Sequence, residues 1–221
     1  MESKIYNEHT EVGIGPYKVG LGDFSFPDQI DAAVVINLDC RPEKREYTIR
    51  TLEGLFPYRF YTAQLHSNPK RGNLESHVAV VRWARDRGLR NVLILEDDIV
   101  INRPLADVPK FPEDWNMLYL GGLCTHITAW GHPWIRGRFY CGHSYLIRDT
   151  LFDEIIENGL QTENMAIDEY FVKNLQTQDH VRAYLTYESF VIQDIGWSDL
   201  DKKEKWQDFK WPKVGEQFRI P

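Results

Sequence analysis

Three consecutive carboxylates follow an apolar run near the middle of the chain. Residues 92–95 are all aliphatic, and they continue directly into Glu96, Asp97 and Asp98. A short run of this kind predicts a strand buried on both faces, as in a parallel sheet. Burying an isolated carboxylate costs several kcal/mol unless it is paired or bound to a metal. The pattern therefore predicts a cation at the end of this strand.

The spacing of these acids indicates which cation would fit. Along a strand, Glu96 and Asp98 point to one face and Asp97 to the other. In open α/β sheets, ligands bind outside the carboxyl ends of the strands, where these acids would lie. Two carboxylates on one face suit Mg²⁺ or Mn²⁺, which keep positions open for phosphate oxygens. The alternative is a strand that ends in a solvated acidic turn.

Two further sites carry side chains that could transfer protons or bind a ligand. Asp168 and Glu169 lie in the first turn of a predicted helix, where a favourable interaction with the helix dipole, under about 1 kcal/mol, is the simpler explanation. His77 lies in the first turns of another predicted helix, for which Asn73 is the expected N-cap. A lone histidine at such a place is more often structural than functional.

The elements that would position these residues follow a regular order. We predict strands at 32–38 and 58–61, a helix from Pro42 to about Leu55 between them, and a second helix from Asn73 to Gly88 before the acidic strand. This β-α-β-α-β order is a nucleotide-binding half of Rossmann type with right-handed crossovers. No GxGxxG follows the first strand, which argues against a nicotinamide or flavin dinucleotide.

The second half of the chain is predicted from weaker patterns. We expect a strand at 117–120 that ends in Gly121 and Gly122, where a backbone could approach a ligand closely. The other expected elements are an ordered loop at 123–134, one strand at 139–147, a helix at 150–158, a helix from Ala166, and short strands at 181–185 and 190–192.

Composition limits the classes of function. The chain of 221 residues carries a formal net charge of -7, which argues against nucleic acid as the main partner. Its three cysteines have no metal-ligand spacing and indicate buried thiols in a reducing compartment. With neither a membrane span nor a signal-peptide pattern, we expect a cytoplasmic or other intracellular soluble protein, or a domain of a longer chain.

No repeat or linker divides the chain into two large domains. We predict an N-terminal extension at 1–31, a catalytic domain at 32–200, and a tail rich in tryptophan and lysine at 201–221. We expect the tail to form a partly ordered lid or arm.

With these elements placed, the sequence resembles glycosyltransferase family 25, which includes bacterial lipooligosaccharide and procollagen galactosyltransferases. The matching segments occur in the family's order over about 34–199. They are Val35-Ile36-Asn37-Leu38-Asp39 with Arg41 and Arg45, Gly72-Asn73-Leu74-Glu75-Ser76-His77, the DXD-type Leu95-Glu96-Asp97-Asp98, Ala166-Ile167-Asp168, and Gln193 with Ser198-Asp199.

The resemblance implies a GT-A fold, a Rossmann-like α/β domain around a mainly parallel sheet flanked by helices. It implies a metal-dependent inverting transferase of the kind that serves polysaccharide biosynthesis. Such an enzyme moves a hexose from a nucleotide-diphosphate sugar, with a UDP-sugar favoured, to a hydroxyl of a glycan or glycoconjugate. An inverting displacement needs a general base for the acceptor hydroxyl and a metal for the diphosphate leaving group.

The resemblance also implies roles for individual residues. Glu96 and Asp98 would hold Mn²⁺ or Mg²⁺ against the donor diphosphate, and Asp97 would face the ribose or the sugar. Asp168 is the first candidate for the base, and Glu169 is the second. The other implied binding residues are Asn37, Leu38, Asp39 and Arg45 around the nucleotide, His77 near the diphosphate or sugar, and Gln193 and Ser198 at the closing end.

Two other functions stay open at this point. One is a catalytically inactive glycosyltransferase-like domain that binds a glycan or a protein. The other is a nucleotidyltransferase, which also binds a diphosphate through carboxylates and Mg²⁺; the absence of a glycine-rich, lysine-ended phosphate loop argues against it. The sequence leaves the donor sugar, the acceptor and the oligomeric state undetermined.

Overall fold

The structure is a computed structural model, and it describes residues 26–194, 197–198 and 203–204. The predicted extension at 1–31 and the predicted tail at 201–221 therefore lie outside the described residues, except for 26–31 and 203–204. Asp199 also lies outside them. Among the helices that are described, none has the length and apolar character that crossing a membrane requires.

Eight strands form the central sheet. In spatial order from one edge to the other they are β2 (Arg59–Ala63), β1 (Ala33–Leu38), β3 (Asn91–Glu96), β8 (Ser144–Arg148), β5 (Met117–Tyr119), β9 (Ala183–Thr186), β7 (Trp134–Tyr140) and β6 (Leu123–Ala129). Two small ribbons add β4 (Ile99–Ile101) with β10 (Val191–Gln193), and β11 (Trp197–Ser198) with β12 (Lys203–Glu204).

Most strands of the central sheet point the same way. Strand β1 pairs in parallel with both β2 and β3, and β5 pairs in parallel with β9. Strands β8 and β7 run antiparallel to their neighbours. The predicted α/β class, with a mainly parallel central sheet flanked by helices, is confirmed. The helices are α1 (Pro42–Leu52), α2 (Pro69–Asp86), α3 (Phe152–Asn158) and α4 (Ile167–Tyr170).

The acidic strand β3 is apolar because both of its faces are buried. Val92 and Ile94 pack into a core with α2, α3 and α4, whereas Leu93 and Leu95 pack into a second core on the opposite face. Each fully buried aliphatic side chain of this size contributes about 1.5–3 kcal/mol relative to exposure. The strand is thus held from both sides, and its carboxyl end is fixed in position.

The ribbon of β4 and β10 brings a late part of the chain to that same end. Its register pairs Gln193 with Ile99, one residue after the acidic cluster. Gly121 lies directly against the backbone of β10: a Cβ at 121 would lie 1.8 Å from the carbonyl oxygen of Val191. The prediction that Gly121 admits a ligand is therefore wrong, since the backbone of β10 occupies that space.

Two predictions about the second half of the chain are wrong. The segment expected as a loop at 123–134 contains β6, which forms a hairpin with β7. Most residues of β6 are exposed, so its sequence lacks the alternation that marks a strand with one buried face. The single strand expected at 139–147 is two strands, separated by a turn in which Cys141 has a φ of 87°.

Helix α2 begins earlier than predicted. Its N-cap is Asn68, whose side-chain oxygen accepts from the N–H of Arg71, and Pro69 occupies the first helical position. Gly72 lies inside the helix, where a Cβ would come 2.7 Å from Cβ of His66. Asn73 is therefore not the N-cap, and its side chain is available for other contacts.

The cysteines agree only in part with the prediction of buried thiols. All three are free, but Cys40 is exposed, Cys141 is partly buried and only Cys124 is buried.

Candidate active site

A cavity of about 320 Å³ lies at the carboxyl ends of β1 and β3. It is bounded by residues from α1, α2, the turn between β7 and β8, the start of α4 and the end of β10. Six of the residues predicted from the sequence line it. They are Leu38, Glu96, Asp97, Asp98, Asp168 and Gln193.

Glu96 and Asp98 face this pocket and are joined by one amide group. The side-chain nitrogen Nε2 of Gln193 lies 3.3 Å from Oε2 of Glu96 and 3.1 Å from each carboxylate oxygen of Asp98. The N–H of Asp194 also donates to the carbonyl of Asp98 at 2.6 Å, so a backbone hydrogen bond holds the end of β10 against the acidic turn. Two half-buried carboxylates are thereby brought to one side of the cavity.

Asp97 lies in the turn after β3, so the predicted alternation does not apply to it, and its side chain lines the cavity as well. Its Oδ2 accepts from Nδ2 of Asn37 at 2.8 Å, and its Oδ1 lies 3.5 Å from Nζ of Lys44. Burial raises the pKa of Asp97 to about 6, against the attraction of Lys44 and the hydrogen bond from Asn37. Its backbone carbonyl accepts from the hydroxyl of Thr48 on α1. Asp97 and Asn37 thus join β1, β3 and α1.

Lys44 is a pocket residue that the sequence analysis did not single out. Its Nζ lies 3.5 Å from Oδ1 of Asp97 and 3.9 Å from Oδ2 of Asp98, and its side chain is 18% exposed. A cation at this place offsets part of the negative charge of the cluster and attracts phosphate groups. Its position in the first turn of α1, directly after the strand β1, is the local signal that could have found it.

Asp168 lines the same cavity from the first turn of α4. Burial and, next, the charge of Glu96 raise the pKa of Asp168. The backbone N–H groups of Glu169 and Cys141 donate to its carboxylate and act in the opposite direction. A carboxylate with a raised pKa, held by two backbone donors and open to a pocket, has the properties of a general base.

Glu169 is turned away from the cavity. Its Oε2 lies 2.8 Å from Nζ of Lys70, its Oε1 lies 3.3 Å from Nζ of Lys173, and it accepts from the N–H of Ala166. Although burial acts to raise it, the pKa of Glu169 is lowered by these contacts, mainly by the hydrogen bond from Lys70. Of the two candidate bases, Asp168 alone lines the cavity.

Asn73 links the two sides of the site. Its Nδ2 donates to Oε1 of Glu96 at 3.2 Å, and its Oδ1 accepts from the N–H of Ile167 at 3.0 Å. Ile167 directly precedes Asp168, so one amide side chain sets the spacing between β3 and α4. Sequence reasoning assigned Asn73 to a helix cap and missed this role.

His77 is fully buried behind Glu96. Its Nδ1 lies 2.7 Å from the hydroxyl of Tyr145, and its Nε2 lies 3.5 Å from Oε1 of Glu96. The two rings stack with their centroids 5.7 Å apart. His77 therefore supports the carboxylate from the core and does not line the cavity.

The remaining predicted residues lie elsewhere. Asp39 is exposed, with its N–H bonded to the carbonyl of Ala63. Arg45 lies over the ring of Phe60 at 3.8 Å, and burial lowers its pKa. Neither lines the cavity. Ser198 belongs to β11, and its side chain lies outside the described residues.

Glu96 and Asp98 suit a metal ion that takes only one or two of its ligands from the protein. Among the described residues, no group of three or more His, Cys, Asp or Glu side chains is arranged to hold an ion. Mg²⁺ is typically bound by one or two protein carboxylates, with water and substrate phosphates completing the shell, and oxygen ligands suit Mn²⁺ as well. Glu96 and Asp98 match that donor set and do not form an all-protein cage.

The other end of the cavity is more apolar. Leu38 ends β1, Ala63 ends β2, and Leu65 follows in the next loop with 69% of its surface exposed. The cavity thus has an apolar end and an end with carboxylates and a lysine. A ligand with a flat ring at one end and charged groups at the other would fit this arrangement.

No family model matches the chain, and no curated protein matches it. Among solved structures, one similar chain is a glycosyltransferase involved in glycosylation of the major capsid of PBCV-1, with 11% identity over 77% of this chain and 96% of that chain and a TM-score of 0.47. A second is a mutant of Drosophila β-1,4-galactosyltransferase 7 complexed with manganese, UDP-Gal and xylobiose, with 12% identity over 80% of this chain and 76% of that chain and a TM-score of 0.48.

A third is the nucleoside-diphosphate-sugar pyrophosphorylase from Vibrio cholerae RC9, with 14% identity over 74% of this chain and 76% of that chain and a TM-score of 0.43. These neighbours are two glycosyltransferases and a nucleoside-diphosphate-sugar pyrophosphorylase, and at such identities and TM-scores the likeness assigns no function to this chain. The resemblance to family 25 stays a prediction.

Proposed function

We propose that this protein is a metal-dependent inverting glycosyltransferase of the family 25 type. It would transfer a hexose from a nucleotide-diphosphate sugar, with a UDP-sugar favoured, to a hydroxyl of a glycan or glycoconjugate. One observation carries the proposal: a carboxylate pair suited to a diphosphate-bound ion and a separate carboxylate suited to a base share a single cavity.

Glu96 and Asp98 would hold Mn²⁺ or Mg²⁺, which, when bound, stabilises the negative charge of the diphosphate leaving group. Lys44 contributes a fixed positive charge beside the same phosphates. Gln193 holds the two carboxylates together through its amide N–H groups. Leu38, Ala63 and Leu65 offer the apolar surface for the nucleobase, with the ribose between that surface and Asp97.

Asp168 would act on the acceptor. Its carboxylate takes the proton of the acceptor hydroxyl while that oxygen forms the new bond to the anomeric carbon and the bond from that carbon to the diphosphate oxygen breaks. Attack from the side opposite the leaving group inverts the configuration. The proposal is supported by the presence of Asp168, on α4, in the same cavity as Glu96 and Asp98.

Calorimetric titration of a panel of nucleotide sugars, first with Mn²⁺ and then with excess EDTA, tests the donor site. We expect one donor to bind with the metal and to lose its affinity in the chelator, because uncompensated carboxylates repel a diphosphate. The matched control is Glu157→Gln, which removes an exposed acid of α3 and should bind as the wild type does. A donor that binds equally well in EDTA would contradict a metal-bridged site.

Product analysis then separates the alternatives. Release of free nucleoside diphosphate marks sugar transfer or donor hydrolysis, whereas release of pyrophosphate marks nucleotidyl transfer. If no nucleotide sugar binds in either condition, the catalytically inactive, glycan- or protein-binding alternative is favoured.

A further inference from the structure

Three aromatic side chains form an exposed cluster away from the cavity, which we call the aromatic platform: Trp130, His132 and Tyr187. Trp130 is 48% exposed and Tyr187 is 41% exposed. The ring of Tyr187 lies between the other two, with centroid distances of 5.9 Å to Trp130 and 5.3 Å to His132. Large rings that stay this exposed contribute little to the core, so packing does not explain them.

The platform is held by ordered backbone. The N–H of Tyr187 donates to the carbonyl of Pro133 at 2.9 Å, which joins the loop after β9 to the loop between β6 and β7. Trp134, the first residue of β7 after the hairpin turn, is buried and its indole N–H donates to the carbonyl of Lys110. At Gly131, a Cβ would come 2.8 Å from the carbonyl of Trp134, so the turn is tight. The rings are therefore presented in a fixed arrangement.

Sheet topology places the platform on the same edge as the candidate active site. Strand β9 runs in the same direction as β3, so Tyr187, which follows β9, lies at the edge where Glu96 ends β3. Three strand spacings separate β9 from β3, a distance of about 15 Å. The chain from Tyr187 to Gln193 also connects the two places directly, and a segment of that length spans at most about 20 Å.

The chemistry of the platform favours a carbohydrate. Flat aromatic faces cover the C–H faces of pyranose rings, and the phenol, indole and imidazole edges offer groups that hydrogen-bond to sugar hydroxyls. Three rings are too small an area for a stable protein interface, which buries about 800 Å² on each partner. At about 15 Å from β3, the platform is too far away to touch the acceptor sugar that receives the transferred unit.

We infer that the aromatic platform binds a distal part of an oligosaccharide acceptor whose reactive end lies at the acid pair and Asp168. This inference rests on the proposed function, and it specifies the substrate class: an extended glycan chain several units long, not a free monosaccharide or a short glycoside.

The test is binding of the full chain to an array of monosaccharides and oligosaccharides up to hexasaccharides. The variants are Trp130→Ala and Tyr187→Ala, with Trp130→Phe to restore a ring. Leu55→Ala is the matched control, since it removes another exposed apolar side chain outside the platform and the cavity. We expect wild type to bind at least one longer oligosaccharide, and each alanine variant to bind it about tenfold more weakly. Trp130→Phe should restore most of the affinity.

The outcomes distinguish this inference from the proposed function. Donor titration with Mn²⁺ should be unchanged in both alanine variants, since neither residue lines the cavity. If a donor binds but no oligosaccharide does, or if the alanine variants bind glycans as wild type does, the inference fails and the proposed function stands. If glycan binding depends on Trp130 while no donor binds, the proposed function fails and the glycan site stands. A change of molecular mass in Trp130→Ala, measured by light scattering, would instead identify a contact between copies of the chain and overturn the inference.

Discussion

The end of β3 presents three adjacent acids and the start of α4 presents two, and within each group the side chains have different partners. At β3, Glu96 and Asp98 share the amide of Gln193, whereas Asp97, which also lines the cavity, is bonded to Asn37 and lies beside Lys44. At α4, Asp168 faces the cavity while its neighbour is held by Lys70 and Lys173. In each region one acid is thus held by hydrogen bonds and a lysine, and the remaining acid or acids are available to a ligand.

The two structural acids nevertheless differ in their proton affinity. Burial raises the pKa of Asp97 to about 6 although a lysine lies beside it. At Glu169 burial acts in the same direction but is smaller than the combined effect of its hydrogen bonds and lysines, and the pKa is lowered. The comparison teaches that a neighbouring lysine does not by itself fix the charge of a carboxyl group, because the depth of burial decides which effect is larger.

The largest expected effect separates the two acids of α4. Asp168→Asn should reduce kcat by about 10²–10⁴-fold, because an amide cannot accept the acceptor proton. Glu169→Gln should retain most of kcat and lose about 1 kcal/mol of stability with its exposed ion pairs. Steady-state kinetics and thermal melts of both variants provide the measurement. Equal losses of kcat in the two variants would remove the distinction between them.

The next effect separates the acids of β3. Asp98→Ala should weaken metal-dependent donor binding by at least about 100-fold, since it removes a carboxylate from the ion. Asp97→Ala should weaken it far less, and its change in stability should stay below about 2 kcal/mol, because loss of the hydrogen bond from Asn37 is offset by relief of the burial cost that raises the pKa of Asp97. Calorimetry gives the affinity, and urea denaturation gives the stability. A folded Asp98→Ala protein with unchanged affinity would exclude it as a metal ligand.

Asn73 connects the two regions, and its replacement should disturb both moderately. In Asn73→Ala the contacts to Glu96 and to the N–H of Ile167 are lost together. We expect a reduction of kcat of about tenfold, in line with other residues that orient a ligand-binding side chain. The donor Kd should rise less than in Asp98→Ala. Asn73→Gln and Asn73→Ser serve as comparisons; wild-type kcat in Asn73→Ala would show that the bridge is dispensable.

The smallest expected effect concerns the pH dependence of kcat. Activity should fall as the pH is lowered through the pKa of the base, because only the ionised carboxylate accepts a proton. Lys70 lowers the pKa of Glu169, so Lys70→Met should raise that pKa. If Asp168 is the base, the acidic limb of the kcat profile stays where it is in Lys70→Met. A limb that moves to higher pH in this variant would assign the base to Glu169.

The sequence alone determined the fold class and the position of the acidic cluster. Strand β3 is buried on both faces, so every position from 92 to 95 had to be apolar, and that run is visible without a structure. The predicted β-α-β-α-β order of the first half was likewise correct, because β1, α2 and β3 bury extended apolar sets of residues.

The rest of the site depended on tertiary contacts between residues far apart in the chain. Gln193 is 95 residues from Asp98, and Asn73 is 94 residues from Ile167. No local pattern encodes such pairs, since they follow from how the crossovers and the β4–β10 ribbon pack. The exposed strand β6 was missed for the opposite reason, because a strand with little buried surface leaves no hydrophobic period in the sequence. A buried face requires apolar residues at regular spacing, which is visible in the local sequence. The partner of a polar side chain is decided only when the chain folds.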